Sequence, residues 1–166
     1  YGADGAFVYS DCGAVPNPDS EQLADITISA VDSFRKLVKK EPIVSLLSFS
    51  TKGSAKHPDV DKVIRTVEIL KERKVDFKFD GEFQFDAAVI ESIGQRKAPG
   101  SEVAGKANVL IFPDLDAGNI AYKITERLGK AIALGPLMQG LDKPVNDLSR
   151  GCSAQDIYDV SIITQN

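Results

Sequence analysis

The stretch that decides the fold lies at residues 108–119, where the sequence reads NVLIFPDLDAGN. Its apolar part, residues 109–112, is a short continuous run of the kind that fills the buried strands of parallel sheets. Pro113 ends the predicted strand, because proline cannot donate a hydrogen bond to the strand ladder. A helix is predicted at about residues 117–128. A strand, a polar loop and a helix in this order form the repeating unit of α/β folds.

The same alternation of apolar run and helical stretch continues in both directions from this unit. Apolar residues spaced by three and four predict amphipathic helices. The predicted strands are residues 6–9, 43–47, 77–79 and 131–134, the third of them closed by a turn at Asp80-Gly81. The predicted helices are residues 20–39, one from about residue 58, a short one at 85–93 and a last one at 154–164, with a loop at 95–106. We therefore predict an α/β protein with a three-layer, mostly parallel sheet.

The bulk composition is typical of a globular protein and argues against two classes of binder. The 166 residues are 43% hydrophobic and 27% charged, with a net charge of -4 and a pI of about 5.0. A general nucleic-acid or membrane-surface binder would carry an excess of basic residues. No apolar run reaches the length of a membrane span. We therefore expect neither nucleic acid nor a membrane among the partners.

The cysteines and the histidine indicate neither a metal centre nor a covalent nucleophile. Cys12 and Cys152 lack metal-ligand spacing and the pattern of a disulfide framework, which favours reduced thiols in a cytoplasmic protein. Cys12 is interpreted as a small buried residue. His57 is the one histidine, so a Ser-His-Asp or Cys-His arrangement is unsupported. Because the chain begins at Tyr1 and soon enters an apolar run, we expect a fragment of a longer protein.

The longest candidate site loop is 135–153, which is rich in Gly, Pro, Asn and Asp. In α/β folds of this kind, ligands bind beyond the carboxyl ends of the strands. Ser149 and Arg150 stand just before the last helix, whose N-terminus suits an anion, and the guanidinium matches a phosphate or a carboxylate. The alternative is an ordinary connection in which Ser153 and Asp156 form a capping box. Composition alone favours that alternative.

Two shorter loops leave similar alternatives open. Ser50, Thr51, Lys52 and Gly53 follow a strand and could hold a phosphate, but the Gly-x-x-x-x-Gly-Lys order of a P-loop is missing. A solvated loop is the simpler interpretation. The segment Asp114-Leu115-Asp116 could bind a divalent metal. A helix cap by Asp116 or a neighbour is favoured, so no metal is predicted.

Five segments together resemble the phosphate acetyltransferase family, in family order and along essentially the whole chain. No single segment is decisive, but the ordered set is highly specific. The segments are 9–18 (YSDCGAVPNP), 46–54 (LLSFSTKGS), 80–88 (DGEFQFDAA), 112–119 (FPDLDAGN) and 135–151, which begins Gly135-Pro136 and ends KPVNDLSRG.

The resemblance implies a fold and a division of the chain. Members of the family have two α/β domains of the isocitrate/isopropylmalate-dehydrogenase-like kind, with the active site in the cleft between them. By that picture, residues 1–138 are most of the second, inserted domain without its start. Residues 139–166 return to the first domain and carry catalytic residues. The chain would then be truncated at its N-terminus, lack further CoA-binding arginines, and be inactive by itself.

The resemblance also implies an activity, the reversible transfer of an acetyl group between acetyl phosphate and coenzyme A by direct thiolate attack in a ternary complex. Ser149, Arg150 and Asp156 match the catalytic positions. Asp156 would take the thiol proton, Ser149 would hydrogen-bond the sulfur, and Arg150 would bind the phosphate. The implied substrate-binding residues are Ser50, Thr51, Lys52, Gly53, Asn119, Gln139 and Asn146.

Two other functions are compatible with the same residues. One is a related acyltransferase for a longer acyl group such as butyryl. The other is a non-catalytic, acetyl-CoA-sensing regulatory domain of the kind fused to some malic enzymes. The resemblance further implies a homodimer whose ligands are coenzyme A, acetyl phosphate and phosphate. Coenzyme A is a substrate in this chemistry, so no bound cofactor is implied.

Overall fold

A four-stranded sheet lies at the centre of the computed structural model, which describes residues 5–165. The strands, all parallel and in the order β1-β4-β2-β3, are β1 (Val8–Ser10), β2 (Ile43–Leu47), β3 (Lys78–Phe83) and β4 (Val109–Ile111). The helices are α1 (Ser20–Val38), α2 (Pro58–Glu72), α3 (Phe85–Val89), α4 (Glu91–Lys97), α5 (Leu115–Arg127) and α6 (Ala154–Thr164). The predicted α/β fold with a parallel sheet is confirmed. No helix within residues 5–165 has both the length and the apolarity needed to cross a membrane.

Strand β4, formed by the decisive apolar run, lies between β1 and β2 and pairs with both. Val109 is opposite Val8 on one side and Val44 on the other. Val109 and Ile111 belong to the core on one face of the sheet and Leu110 to the core on the other, and all three are buried. Because β4 is buried on both faces, its sequence is continuously apolar.

Helices cover both faces of the sheet and form the predicted three layers. On one face, α1 and α2 pack in a core cluster that includes Phe34, Leu70 and Val44. On the other face, α3, α5 and residues 98–107 contribute to a cluster around Phe83. The chain crosses one face from β1 through β2 to β3, then returns over the other face to β4. Right-handed crossovers require this change of face when the direction along the sheet reverses.

Polar side chains mark where the helices begin. Asp19 accepts the Gln22 amide at 2.8 Å in a capping box at the start of α1. Asp114 accepts the Ala117 amide at 2.8 Å at the start of α5, and His57 caps α2 through Nδ1. A cap in the loop after β4 is therefore present as predicted, but it is Asp114, and Asp116 lies in the first turn of the helix. In the described part of the chain, no group of three His, Cys, Asp or Glu residues could hold a metal ion.

Strand β3 is longer than predicted, and the prediction that it ends at Asp80-Gly81 is wrong. Gly81 lies inside the strand, where an added Cβ would come within 3.0 Å of Leu46 Cβ and 3.3 Å of Val67 Cγ2. The glycine is needed because β2 and α2 approach its backbone closely, and not because the chain turns there.

Two further segments differ from the predictions, while the other elements begin and end within about two residues of them. Residues 131–134 form no strand, and Ile132 is 61% exposed. An apolar run becomes a strand only where a neighbouring strand can pair with it, and no described strand does so here. The predicted helix at 85–93 is two helices, α3 and α4, separated by the extended backbone of Ile90.

Residues 128–165 form the least buried region of the described chain. Leu137 and Asn146 make an isolated antiparallel bridge, and Asn146 Nδ2 donates to Thr164 Oγ1 of α6 at 2.7 Å. Val160 is the buried residue of α6. Large apolar side chains are exposed across this region, among them Leu128, Leu141, Val145, Ile157 and Tyr158. The division of the chain at residue 138 stays a prediction.

Candidate functional site

The carboxyl ends of the four strands lie at one edge of the sheet, because all four strands are parallel. The loops that follow gather there: residues 11–19 after β1, 48–57 after β2, Gln84 after β3 and 112–114 after β4. The chain leaves β2 toward α2 on one face and leaves β4 toward α5 on the other. The connections that follow these two neighbouring strands therefore run to opposite faces of the sheet. Open α/β sheets bind ligands at such a point.

The loop after β2 is organised around Glu82, a carboxylate of β3 that is 3% exposed. Glu82 Oε1 accepts hydrogen bonds from Ser50 Oγ at 2.9 Å and from the Gly53 amide at 2.7 Å. The Lys52 amide donates to the Glu82 backbone oxygen at 3.2 Å. Thr51 Oγ1 accepts the first backbone amide beyond β3 at 2.8 Å. All four predicted substrate-binding residues of this loop are therefore tied to β3 or the residue after it.

Lys52 makes further contacts to β3 with its side chain. Its Nζ donates to Asp80 Oδ1 at 2.5 Å and to the Gly81 oxygen at 2.6 Å, and it lies 5.0 Å from the centre of the Phe83 ring. Lys52 and Gly53 have φ angles of 50° and 81°, which glycine adopts readily and lysine rarely. A phosphate at this ammonium would compete with the Asp80 carboxylate.

A cavity of about 350 Å³ opens beside this loop, lined by Lys52, Asp80, Lys97 and residues 98–101. Lys97 Nζ donates to Asp86 Oδ2 at 2.9 Å, and this hydrogen bond lowers the pKa of Asp86. Each ammonium of the cavity therefore already has a carboxylate partner. The charges in the cavity are balanced and do not by themselves attract an anion.

The loops after β1 and β4 pack against each other. Asp11 accepts the amides of residues 13, 14 and 15 at 2.8, 3.1 and 2.7 Å, which closes the first loop on itself. Gly118 of α5 lies so close to this loop that an added Cβ would be 2.1 Å from the backbone carbonyl oxygen of Asp11. Asn119, a predicted substrate-binding residue, donates to the Cys12 oxygen at 3.1 Å and accepts from Lys123 at 2.8 Å. In this structure the side-chain amide of Asn119 joins α5 to the loop after β1.

The Cys12 thiol is poorly suited to act as a nucleophile. Burial raises the pKa of Cys12 to about 12, and the neighbouring charge of Asp11 adds to the effect. The reactive form of cysteine is the thiolate, and a thiol with this pKa stays protonated at neutral pH. Its partly buried side chain packs against the second core cluster, as expected for a packing residue.

The three predicted catalytic residues lie around the start of α6. Asp156 Oδ2 accepts the Ser153 amide at 2.7 Å, and Ser153 Oγ accepts the Asp156 amide at 3.2 Å. The hydrogen bond from the Ser153 amide, and after it one from the Ser153 side chain, lower the pKa of Asp156. Ser149 Oγ accepts the Gly151 amide at 3.4 Å, and Arg150 is exposed. The capping box is confirmed, and the catalytic role of Ser149, Arg150 and Asp156 stays a prediction.

The predicted site residues fall into two groups at different places in the chain. Residues 50–53 share the network around Glu82, and Asn119 lies near the start of α5, which follows β4. The other group lies near α6, where Asn146 Oδ1 accepts the Met138 amide at 3.1 Å and Gln139 is the next residue along the chain. Within residues 5–165, no hydrogen bond or ion pair joins residues 50–53 to Ser149, Arg150 or Asp156.

Sequence reasoning missed Glu82 and Lys62, which hold the loops at this edge. Lys62 of α2 donates to Asn17 Oδ1 at 2.9 Å and to the Pro113 oxygen at 2.8 Å, so it connects the loops after β1 and β4. No sequence signal marks Glu82, because its strand reads KFDGEF and also carries Lys78 and Asp80. None marks Lys62 either, a lysine on an amphipathic helix.

A parallel three-layer sheet with its polar loops at one edge defines the class as an open α/β protein, a class that binds ligands at the carboxyl ends of its strands. Within that class, the chain belongs to the phosphate acetyl/butaryl transferase family, which matches residues 2–165. It is 58% identical over 164 residues to the phosphate acetyltransferase of Acetivibrio thermocellus, covering 99% of this chain and 49% of that protein.

Solved structures agree with this assignment. The EutD phosphotransacetylase from Staphylococcus aureus superimposes with a TM-score of 0.89 at 47% identity, covering 99% of this chain and 51% of that one. A phosphotransacetylase from Streptococcus pyogenes superimposes with a TM-score of 0.90 at 50% identity, covering 95% of this chain and 48% of that one. The chain therefore spans about half the length of the relatives it matches.

Proposed function

We propose that the longer protein containing these residues is a phosphate acetyltransferase, which converts acetyl phosphate and coenzyme A into acetyl-CoA and phosphate, reversibly. The observation that carries the proposal is the family match over residues 2–165, with 58% identity to a relative of that name. Several relatives carry the same name, which favours acetyl over a butyryl-type acyl group or a regulatory domain. Residues 1–166 alone are expected to lack turnover, since they span about half of such a relative.

In the proposed reaction, the sulfur of coenzyme A forms a bond to the acetyl carbon. The bond from that carbon to the phosphate oxygen breaks, and phosphate leaves with the electron pair. We assign the thiol proton to Asp156, a hydrogen bond to the sulfur to Ser149, and binding of the phosphate to Arg150. Arg150 also offsets charge on the carbonyl oxygen in the tetrahedral state. Holding both substrates in one cleft contributes much of the remaining acceleration.

The proton transfer to Asp156 is the demanding step in this proposal. An unperturbed thiol near pKa 8.5 and an aspartate near 3.9 differ by about 4.6 units, or about 6 kcal/mol. The capping bonds from Ser153 lower the pKa of Asp156 and widen the gap. The reactive state therefore requires strong stabilisation of the thiolate by Arg150 and Ser149, or release of Asp156 from its capping bonds when the cleft closes.

We further propose that the predicted substrate-binding residues shape the cleft. Residues 50–53 lie in a loop at the carboxyl edge of the sheet, and Asn119 lies near the start of the helix that follows β4, which supports a position beside the ligand. Ser50 and Gly53 direct their donors onto Glu82, so their contribution is to the shape of the loop. Gln139 and Asn146 are placed with the catalytic residues near α6.

The proposed ligands are coenzyme A, acetyl phosphate and phosphate, in a cytoplasmic homodimer without a bound cofactor. An apolar stripe on α5 supports the dimer: Ile120, Ile124 and Leu128 are 57%, 53% and 79% exposed and follow each other at one helical turn. A contiguous apolar surface of this kind marks an interaction face. The exposed apolar residues of α6 support the proposal that residues 139–166 belong with a domain outside this chain.

A thiol-release assay on a full-length enzyme that contains residues 1–166 tests the proposal. With acetyl-CoA and phosphate as substrates, the wild type should release free thiol, and Arg150→Ala should lose activity by about a hundredfold or more, as expected for loss of a group that stabilises transition-state charge. Arg96→Ala, a change at another arginine, is the control and should keep its rate. An unchanged rate in Arg150→Ala would remove Arg150 from the mechanism, and turnover by residues 1–166 alone would contradict the expected need for the missing half.

A further inference from the structure

Glu82 is a buried carboxylate that no described ion pair neutralises. It is 3% exposed, and the lysine of the neighbouring loop, Lys52, pairs with Asp80 instead. A buried charge of this kind is costly unless hydrogen-bond donors satisfy it. Its placement therefore depends on the groups that donate to it, and those groups are in the loop after β2.

The donors to Glu82 come from two points of that loop. Ser50 Oγ at 2.9 Å and the Gly53 amide at 2.7 Å both bind Oε1. Ser50 Oγ also accepts the Ala55 amide at 3.1 Å. One carboxylate oxygen and one hydroxyl thus connect the beginning, the middle and the end of residues 50–55.

The backbone of this loop does not hold its shape by local preference. Lys52 and Gly53 are consecutive residues with positive φ, 50° and 81°, and such a conformation persists only where surrounding contacts determine it. The Gly53 amide points at Glu82 because of this turn. Hydrogen bonds to a charged acceptor are about twice as strong as neutral ones, so Glu82 is the group best able to hold the turn.

We propose that Glu82 is a positioning residue, which fixes residues 50–55 at the substrate crevice through Ser50 and Gly53 without touching the substrate. The inference rests on the proposed function in one respect, that this loop forms part of the substrate site. The fixed loop sets the place of Lys52 beside the cavity of about 350 Å³. Loss of Glu82 therefore weakens substrate binding and leaves the groups that perform the chemistry in place.

Steady-state kinetics of a full-length enzyme that contains these residues test the proposal. Glu82→Ala should raise the KM for coenzyme A or for acetyl phosphate about tenfold, as expected for the loss of hydrogen bonds to a charged group, with kcat changed by less than about threefold. Glu82→Gln keeps an acceptor oxygen at the same place but loses its charge, so it should raise the same KM by a smaller factor of about threefold. Glu102→Ala removes an exposed carboxylate that pairs with Lys78 and should leave both constants unchanged.

A double-mutant cycle separates positioning from a general loss of packing. If Glu82 acts through Ser50, the effects of Ser50→Ala and Glu82→Gln on KM should be less than additive. Additive effects, or a folded Glu82→Ala enzyme with unchanged KM for both substrates, would overturn the proposal. The glutamine variant serves this purpose if the alanine variant does not fold.

An activity-independent measurement distinguishes failure of this inference from failure of the proposed function. Amide hydrogen exchange should show the Gly53 amide protected in the wild type and exchanging at least about tenfold faster in Glu82→Gln, since the neutral acceptor holds it less strongly. If the wild type lacks transacetylase activity but the two proteins still differ in the exchange of the Gly53 amide, only the proposed function is contradicted. Equal exchange in both proteins contradicts the positioning role alone.

Discussion

Three carboxylates near the carboxyl edge of the sheet or the start of α6 differ in their partners, and the partners set their roles. Glu82 is buried and receives only hydrogen-bond donors. Asp80 binds the Lys52 ammonium and accepts Ser101 Oγ at 2.6 Å. Asp156 caps its own helix. The residue type is nearly the same in each case. The surroundings therefore decide which carboxylate holds a loop, which pairs with a lysine and which caps the start of a helix.

Gly118 offers a test at the scale of one residue. A Cβ at this position would lie 2.1 Å from the Asp11 oxygen, closer than any non-bonded contact allows. Intrinsic helix propensity would make Gly118→Ala stabilising by about 1 kcal/mol. The clash is the larger effect, and we expect a net loss of about 1–3 kcal/mol in the free energy of unfolding of the 166-residue chain.

Denaturant titration of Gly118→Ala measures this loss. Gly151→Ala is the matched control, because a Cβ there would meet no atom within 4 Å. The control should unfold at nearly the wild-type denaturant concentration. If Gly118→Ala were as stable as the control, the close approach of α5 to the loop after β1 would be contradicted.

Helix ends carry much of the functional geometry at the scale of elements. α5 begins at the carboxyl end of β4 with Asp114 as its cap, and α6 begins beside Ser149 and Arg150 with Ser153 as its cap. The caps fix where each helix starts and therefore where the preceding loop must end. Asp156 accepts the Ser153 amide through Oδ2, and a carboxylate has further acceptor sites with which it can also face a ligand.

The pH dependence of the α6 cap follows from the lowered pKa of Asp156. A lowered folded-state pKa means that the carboxylate stabilises the folded helix end. That contribution is present above the ordinary aspartate pKa of about 3.9 and is lost as the pH falls through the lowered value. NMR titration of Asp156, with exchange of the Ser153 amide as a second probe, should show the cap intact at about pH 5 and weakened only as the pH falls below the ordinary aspartate value of about 3.9.

Asp156→Asn is the control for this titration. Its amide side chain cannot ionise, so protection of the Ser153 amide should not follow the same acid transition. An Asp156 that titrates above the ordinary aspartate value would contradict the capping geometry and would bring the residue closer to the pKa of a useful general base.

The distribution of buried surface divides the described chain at the scale of the whole molecule. Two core clusters on the faces of the sheet hold residues up to α5 together. Beyond them, the α5 stripe (Ile120, Ile124 and Leu128) and the apolar residues of α6 are exposed. A chain that spans about half of its relatives is expected to expose the surfaces that the rest of the protein or a second copy covers.

The proposed homodimer predicts the effect of a charge placed in the α5 stripe. Ile124→Asp should shift the full-length enzyme from dimer to monomer in sedimentation velocity, because a carboxylate at a packed apolar interface is left without a partner. Ile64→Asp places the same charge at an apolar residue on α2 and is the control, which should stay dimeric. A dimer that is equally stable in both variants would exclude the α5 stripe from the interface.

The sequence by itself determined the fold class and most elements, because the relevant signals are local. Burial on both faces makes β4 continuously apolar and β2 apolar except for Ser45, and polar caps precede α1, α5 and α6. The ordered segments also indicated the family. These features depend on a few neighbouring residues, so they can be recognised before any contact is known.

Only the tertiary structure decided which apolar runs pair and which polar groups meet. Residues 131–134 are apolar but have no strand beside them, whereas Gly81 continues a strand where a turn was predicted. Ser50 and Glu82 are 32 positions apart and meet only because β2 and β3 are neighbours. Strands pair, and buried charges find hydrogen-bond donors, through contacts between residues that are far apart in the sequence. A sequence pattern shows each of the two residues but does not show that they are in contact.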